Sequence, residues 1–71
     1  MDINIRIAEN IKKRINKKYK TTKEASIAGG WGEKYLTNMI SDLKNKNNFP
    51  SIPQLIKIAN LCNCDIKEFF K

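Results

Sequence analysis

The stretch KEASIAGGWGEKYLTNMI, residues 23–40, interrupts a helical pattern with three glycines and a tryptophan. Residues 24–28 and 33–40 have helical patterns, and the segment GGWG lies between them. Each glycine costs a helix interior about 1 kcal/mol relative to alanine, so the segment predicts a sharp break between two helices. Gly30 suits the left-handed conformation that ends many helices, and Trp31 is expected to anchor the turn in the core.

The helices on either side of this break are the second and third of five predicted helices. An isoleucine stripe with helical period predicts a first helix over residues 5–18. A second helix is predicted over residues 22–29: Thr21 or Thr22 can cap it, and Thr21 with Glu24 forms a capping box. The third helix is expected over residues 33–43.

The C-terminal part of the chain predicts two more helices. The asparagine-rich residues 44–50 are expected to form a loop. Ser51 and Gln54 form a capping box for a fourth helix, which Asn63 is expected to end in the left-handed conformation. Asp65 with Glu68 then begins a short fifth helix. No segment resembles a strand, so the fold class is all-α. The expected core is formed by Ile7, Ala8, Ile11, Ile15, Ala25, Ile27 or Ala28, Trp31, Leu36, Met39, Ile40, Leu43, Ile52, Leu55, Ile56, Ala59, Cys62, Ile66, Phe69 and Phe70.

The length and composition indicate a single domain over residues 1–71, with a thin core. No apolar run approaches the roughly 18 residues that cross a membrane, and the N-terminus lacks the pattern of a secretory signal. Cys62 and Cys64 are too close in sequence for an unstrained disulfide, and the chain has no histidine that could complete a zinc site. The two cysteines are therefore interpreted as core residues of a reduced, cytoplasmic protein that needs no metal or other cofactor.

The absence of histidine also excludes a serine or cysteine nucleophile that depends on a histidine base. The seven acidic residues show no pattern of paired catalytic carboxylates, so an enzyme is not expected. Fourteen basic residues against seven acidic ones give a net charge of +7, which favours nucleic acid or an anionic membrane surface as a partner. The alternative interpretation of this charge is a solvated, lysine-rich surface without a partner, which AT-rich codons would also produce.

A short helix, a tight turn with glycine and a second helix form a helix-turn-helix, whose second helix enters the DNA major groove. The runs TTKEASIAGGWGEKYLTNMI and PSIPQLIKIANLCNCDIKEFF resemble the lambda-repressor/Cro-like, or XRE, family over residues 5–70. That resemblance implies a compact five-helix domain with a helix-turn-helix at helices 2 and 3. The positions that match the family pattern are Thr21, Gly30, Trp31, Leu36, Met39, Pro50, Ser51, Ile52, Leu55, Ile58, Ala59, Cys62, Cys64, Phe69 and Phe70.

The resemblance implies a sequence-specific transcriptional regulator that binds double-stranded DNA as a homodimer. A phage or mobile-element repressor and the antitoxin of a toxin-antitoxin pair are both consistent with it. No small-molecule ligand is expected, because no sensing domain is attached. The competing hypothesis is a protein-interaction module on the same fold that has lost operator binding and docks through Ile40, Leu43 or Phe70.

Several positions depart from the family pattern. Thr22 replaces a frequent glutamine, and Ala25 and Ser26 replace a Leu-Ala pair. Ile40 replaces a frequent glutamate, and the following link is longer by about four residues. These departures predict that the third helix continues through Leu43. Ile40 and Leu43 then form an additional apolar surface, which either packs under the loop or faces a partner. The expected dimer contact combines these two residues with residues 69–71.

The family's positions for base contact fall on four polar residues that share one face of the third helix. Their chemistry suits base edges: Lys34 can donate to guanine, Asn38 can pair with adenine, and Glu33 can accept from cytosine. Thr37 can contact a thymine methyl group. An ordinary solvated helix face is the alternative. The residues expected to contact phosphates are Thr21, Thr22, Lys23, Tyr35, Lys44, Lys46, Asn47 and Asn48.

Overall fold

The computed structural model describes residues 3–46 and 48–71, and over these residues the chain forms helices and no strand. The predicted all-α class is confirmed, although the last element is a 3-10 helix and not a fifth α-helix. The third helix begins two residues later than predicted and ends three residues later. The elements are α1 (Ile3–Lys18), α2 (Thr22–Ala28), α3 (Tyr35–Lys46), α4 (Ile52–Leu61) and the terminal 3-10 helix (Ile66–Phe70).

The core forms mainly between α1 and α3, which make the most extensive contact between any two of these elements. Ile7, Ile11 and Ile15 recur every fourth residue of α1, and all three are buried, as their spacing predicts. Ile40 and Leu43 of α3 are buried in the same cluster. Of the two alternatives for these last residues, the structure therefore shows internal packing, and they are not available to a partner.

The face of α4 that packs on the core differs from the predicted one. Leu55, Ala59 and Cys62 are buried as expected, but Ile58 is fully buried while Ile52 is 56% exposed. The predicted stripe was wrong because six of the ten residues of α4 are apolar, which makes more than one face suitable for burial. Ile56 is also exposed, and so is Phe70 of the terminal 3-10 helix, where only Phe69 fills the core.

Two helices end in the same backbone arrangement, the Schellman motif. Gly30 follows α2 with φ of +83°, and the Trp31 N–H donates to the Ser26 carbonyl at 3.0 Å. Asn63 follows α4 with φ of +56°, and the Cys64 N–H donates to the carbonyl five residues earlier at 3.0 Å. Both left-handed positions agree with the sequence prediction, because glycine and asparagine tolerate this conformation best.

The helix starts agree less well with the predicted caps. The Thr21 hydroxyl accepts a hydrogen bond from the Glu24 N–H at 3.1 Å, as a capping box requires. The Asp65 carboxylate likewise caps the 3-10 helix through the Lys67 N–H. Ser51 makes no side-chain capping bond, so the capping box predicted for α4 is wrong. The α4 start instead has Pro53 in its first turn, where the missing N–H is not needed.

Polar side chains of α1 tie it to the end of the chain. The Asn10 amide donates to the carbonyls of Phe69 and Lys71 at 3.1 and 2.9 Å, and Arg14 pairs with Glu68. At the end of α1, the Lys18 ammonium donates to the Leu61 carbonyl of α4 at 2.9 Å. None of the helices within residues 3–46 and 48–71 is long and apolar enough to cross a membrane.

Candidate nucleic-acid interface

The junction between α2 and α3 is held by a buried hydroxyl. Ser26 is the only polar residue with a fully buried side chain in the part of the chain that the structure describes. Its Oγ accepts a hydrogen bond from the Leu36 N–H at 3.0 Å. Leu36 lies in the first turn of α3, where backbone N–H groups have no partner within the helix. Ser26 therefore fixes the start of α3 against the middle of α2.

An aromatic stack supports the same junction from outside. The Trp31 ring lies 4.8 Å from the Tyr35 ring, nearly parallel to it, and the Lys57 ammonium lies 4.9 Å from the indole centroid. Trp31 packs against the core and is half-buried, so its predicted anchoring role is confirmed. The indole passes directly over Gly29, where an added Cβ would lie 2.4 Å from the ring. The close approach of the indole therefore explains why residue 29 is glycine.

A polar stripe faces solvent along α3. Thr37 and Asn38 are exposed on this helix, as predicted. At 100° per residue, Ser41 and Asn45 continue the same face, and both are exposed. The Asn45 amide donates to the Ser41 hydroxyl at 3.2 Å. Neither residue was predicted: Asn45 lies beyond the predicted helix end at residue 43, and Ser41 is not among the four positions that match the family's base contacts. Their spacing of i+3 and i+7 from Asn38 could have identified them.

The other two residues predicted to contact bases precede α3. Glu33 and Lys34 lie in the turn and are exposed, so the four residues do not all share one helix face as predicted. Lys34 still joins the stripe, since its carbonyl accepts the Asn38 N–H at 2.9 Å in helical register. The Glu33 carboxylate instead lies 3.4 Å from the ammonium of Lys23, a predicted phosphate ligand on α2.

The residues predicted to contact phosphate occupy different environments. Lys44 and Lys46 lie in the last turn of α3 and not in a loop, and the Lys46 ammonium lies 3.7 Å from the Asp42 carboxylate. Tyr35 is half-buried and forms the aromatic stack with Trp31. Asn47 lies outside the described residues. Thr21, whose hydroxyl caps α2, is exposed like Lys23 and Asn48, and Thr22 is half-buried.

A shallow cleft of about 330 Å³ borders the polar stripe. One wall is α3 and the other is the segment that enters α4, including the uncapped Ser51. Asn38 belongs both to the polar stripe and to the lining of the cleft. The residues that line it are Tyr35, Asn38, Met39, Asp42, Asn48, Phe49, Pro50, Ser51 and Gln54.

The positive charge of the chain is not concentrated on this surface. Residues 1–20 contain seven basic and two acidic residues, whereas residues 21–46 contain four basic and three acidic ones. Two of those four cations, Lys23 and Lys46, also have acidic partners. The candidate interface is therefore nearly neutral, and the charge excess lies on α1.

The two cysteines are free, and both belong to the packing of the C-terminal half. Burial raises the pKa of the Cys62 thiol to about 11, and burial also raises the pKa of Cys64. Neither group is therefore an activated thiolate. Within the described residues no cluster of three or more possible ligands could hold a metal ion.

Comparisons of the chain with protein-family models, with curated proteins and with solved structures found no match.

Proposed function

We propose that this protein is a sequence-specific, double-stranded DNA-binding transcriptional regulator with a lambda-repressor-like helix-turn-helix at α2 and α3. The observation that supports the proposal is the junction of these helices. Ser26 and the Trp31 stack hold the start of α3 in place, while the outer face of α3 stays polar and exposed. A rigidly held helix with a free polar face is what readout of a major groove requires.

The dimensions and chemistry of α3 suit this role. Twelve residues form a helix about 18 Å long, and the major groove admits one helix across its width of about 12 Å. Asn38 can pair with adenine, Lys34 can donate to guanine, and Thr37 can contact a thymine methyl group. Ser41 and Asn45 extend the same face toward the DNA backbone. Lys44 and Asn48 then supply contacts to phosphate.

A single α3 contacts only a few base pairs, so we infer that two copies bind a near-palindromic site with half-sites about 34 Å apart. Ile40, Leu43 and Phe69 cannot form the dimer contact that the sequence suggested, since all three are buried. The exposed apolar side chains of the C-terminal half are better suited. We name Phe49, Ile52, Ile56 and Phe70 the C-terminal apolar patch; Phe49 and Phe70 stack at 6.3 Å, and the two isoleucines lie one turn apart on α4.

The low charge of the C-terminal apolar patch also favours its association with a second copy of the chain. Two chains of charge +7 repel each other, so they associate best through a surface with few cations. The exposed residues 53 and 60 of α4 are uncharged, and the ammonium of Lys57 lies over the Trp31 ring. The interaction module remains as the alternative function, and with Ile40 and Leu43 buried it would have to use this same patch.

Selection of bound sequences from random DNA tests the proposal. We expect a near-palindromic motif, and Asn38→Ala should relax the preference at one symmetric pair of positions at a cost of about 1–3 kcal/mol per half-site. Asn16→Ala, which removes an exposed amide from α1, is the control and should return the unchanged motif. Recovery of no motif would favour the interaction module.

A further inference from the structure

The outer face of α1 has the strongest concentration of positive charge in the chain. Half of the fourteen basic residues lie in residues 1–20, together with only two acidic residues. Not all of these cations are available, because Arg14 pairs with Glu68 and Lys18 donates to a carbonyl of α4. The remaining cations of α1 have no ion pair among the described residues. They are Arg6, Lys12, Lys13 and Lys17, and all four are exposed.

Three of these cations form a line. Arg6, Lys13 and Lys17 are separated by seven and four residues, so they lie on one face of α1 at axial spacings of about 10 and 6 Å. At 100° per residue this face lies opposite the buried stripe of isoleucines. We name these three residues the α1 basic face.

The α1 basic face and the polar stripe of α3 point away from each other. The buried faces of α1 and α3 meet in the core, so the exposed face of each helix is directed away from the other. The protein measures 22 Å across its shorter axes, which is much more than a lysine side chain spans. DNA held against α3 therefore leaves the α1 basic face free.

We propose that the α1 basic face binds the phosphate backbone of a second DNA duplex, so that the protein bridges two duplexes. The proposal rests on the proposed function for the α3 side of the bridge. Cations on long side chains along one helix suit contacts to phosphates, which need no sequence information. A protein already bound to one duplex also meets neighbouring DNA at a high effective concentration.

Duplex DNA fits this face better than an anionic membrane does. A helix that binds a membrane surface combines its cations with a bulky apolar face that inserts between lipids. Three of the five isoleucines of α1, Ile7, Ile11 and Ile15, are buried in the core. Ile5 is half-buried, and Ile3 alone is exposed, at 67%. Ile3 lies one turn before Arg6, and a single exposed isoleucine does not form the apolar face that such a helix inserts, so electrostatic contacts to a polyanion are favoured.

Two measurements test the proposal. In the first, binding of an unrelated duplex is followed by fluorescence anisotropy at increasing salt. Lys13→Gln/Lys17→Gln should reduce the slope of log affinity against log salt by about 1.8, which corresponds to two phosphate contacts. In the second, protein on an immobilised selected site captures a fluorescent unrelated duplex. The double variant should reduce this capture at least tenfold and leave affinity for the selected site within twofold.

Matched variants separate position from net charge. Lys13→Arg/Lys17→Arg retains both charges and should capture the second duplex normally. Lys67→Gln/Lys71→Gln removes two charges from the terminal 3-10 helix and the residue after it, which lie outside the α1 basic face, and should also leave capture intact. Unchanged capture and slope with Lys13→Gln/Lys17→Gln would overturn the proposal. So would a parallel loss of affinity for the selected site, because α1 would then contact the same duplex as α3.

Two further outcomes are distinguishable from these. If selection returns no site but the salt slope falls as expected, the proposed function fails and the α1 basic face is still a DNA-binding surface. In that case the bridge is rejected and the phosphate contact is supported. Stronger binding to vesicles of anionic phospholipid than to DNA, lost in Lys13→Gln/Lys17→Gln, would assign the face to membranes and overturn the proposal.

Discussion

The Ser26 hydroxyl accepts a hydrogen bond from the Leu36 N–H at 3.0 Å, and both residues are fully buried. This bond joins α2 to the first turn of α3 across the turn that contains Trp31. An unpaired N–H at this depth would lose its hydration without compensation. The contact therefore fixes the relative position of the two helices more strictly than apolar packing alone.

Ser26→Ala is expected to destabilise the fold by about 1–3 kcal/mol, because it leaves the Leu36 N–H buried and unsatisfied. Urea denaturation measures the effect as a lower midpoint with an unchanged slope. Ser41→Ala is the control: it removes a serine hydroxyl from the exposed face of α3, and its effect should stay within about 0.5 kcal/mol. Equal effects of the two substitutions would contradict the role of the buried bond.

The contact between Gly29 and Trp31 supports a second prediction. Gly29→Ala should destabilise the protein by about 1–3 kcal/mol, because the new methyl group overlaps an indole carbon at 2.4 Å. The backbone itself is compatible with alanine, since φ at residue 29 is −81°. Thermal or urea unfolding of the variant measures the cost.

A double-mutant cycle shows whether the indole is the cause. In a Trp31→Ala background the clash is absent, so Gly29→Ala should become neutral or stabilise by up to about 1 kcal/mol. Gly32→Ala is the matched control, because a methyl group added there would meet no atom within 4 Å. A cost that persists without the indole would show that Gly29 is needed for another reason.

Local rules predicted much of the fold, and the reasons are visible in single residues. Gly30 and Asn63 were predicted to be left-handed because that preference depends on the residue itself. The burial of α4 was predicted poorly because Ile52 and Ile58 are equally apolar, and only the position of the neighbouring elements selects between them. Residue type cannot supply that information.

The candidate site also combines properties that depend on a single residue with properties that depend on the packing of several elements. Thr37 and Asn38 were predicted from the family resemblance, and both are exposed on α3. The pairing of Lys23 with Glu33 joins residues from two elements, so it depends on the angle of the turn. The near neutrality of this surface follows from the local balance of basic and acidic residues in residues 21–46, which the total charge of the chain does not show.

The pairing of Lys23 with Glu33 leads to a prediction about affinity. Glu33→Gln removes a negative charge from the candidate interface and frees the lysine for a phosphate. We expect tighter DNA binding at low salt and a salt slope that is steeper by about 0.9. Anisotropy titrations at several salt concentrations measure both quantities. Glu24→Gln, an exposed glutamate on α2, controls for the change in net charge. A loss of affinity restricted to sites with one particular base would instead support direct contact by Glu33.

The raised pKa of Cys62 predicts a loss of stability in alkali. Burial holds the folded thiol protonated until about pH 11, whereas the unfolded thiol ionises at about pH 9. The unfolded state therefore binds fewer protons between these values, and the free energy of unfolding falls as the pH rises. The contribution is complete below pH 9 and decreases by about 2 kcal/mol through this window. Denaturation midpoints of the parent and of Cys62→Ala, measured from pH 8 to 11, should converge. A constant difference would contradict a buried, protonated thiol.

The C-terminal apolar patch predicts how the protein dimerises. Ile52→Gln/Ile56→Gln should weaken dimerisation at least tenfold, about 1.4 kcal/mol. The reason is that both substitutions remove apolar surface from the proposed contact between the two copies. Glutamine keeps a high helix propensity, and both positions are exposed, so the stability of the monomer should change little. Ile27→Gln is the control, since this isoleucine is 55% exposed on α2, away from the patch.

Sedimentation equilibrium measures the solution dimer, and stoichiometry on a selected duplex measures the bound one. The variant should bind half-sites one chain at a time, with a footprint on one side of the motif. If the parent protein already binds as one chain with an asymmetric footprint, the dimer is rejected, and the exposed patch must serve another partner.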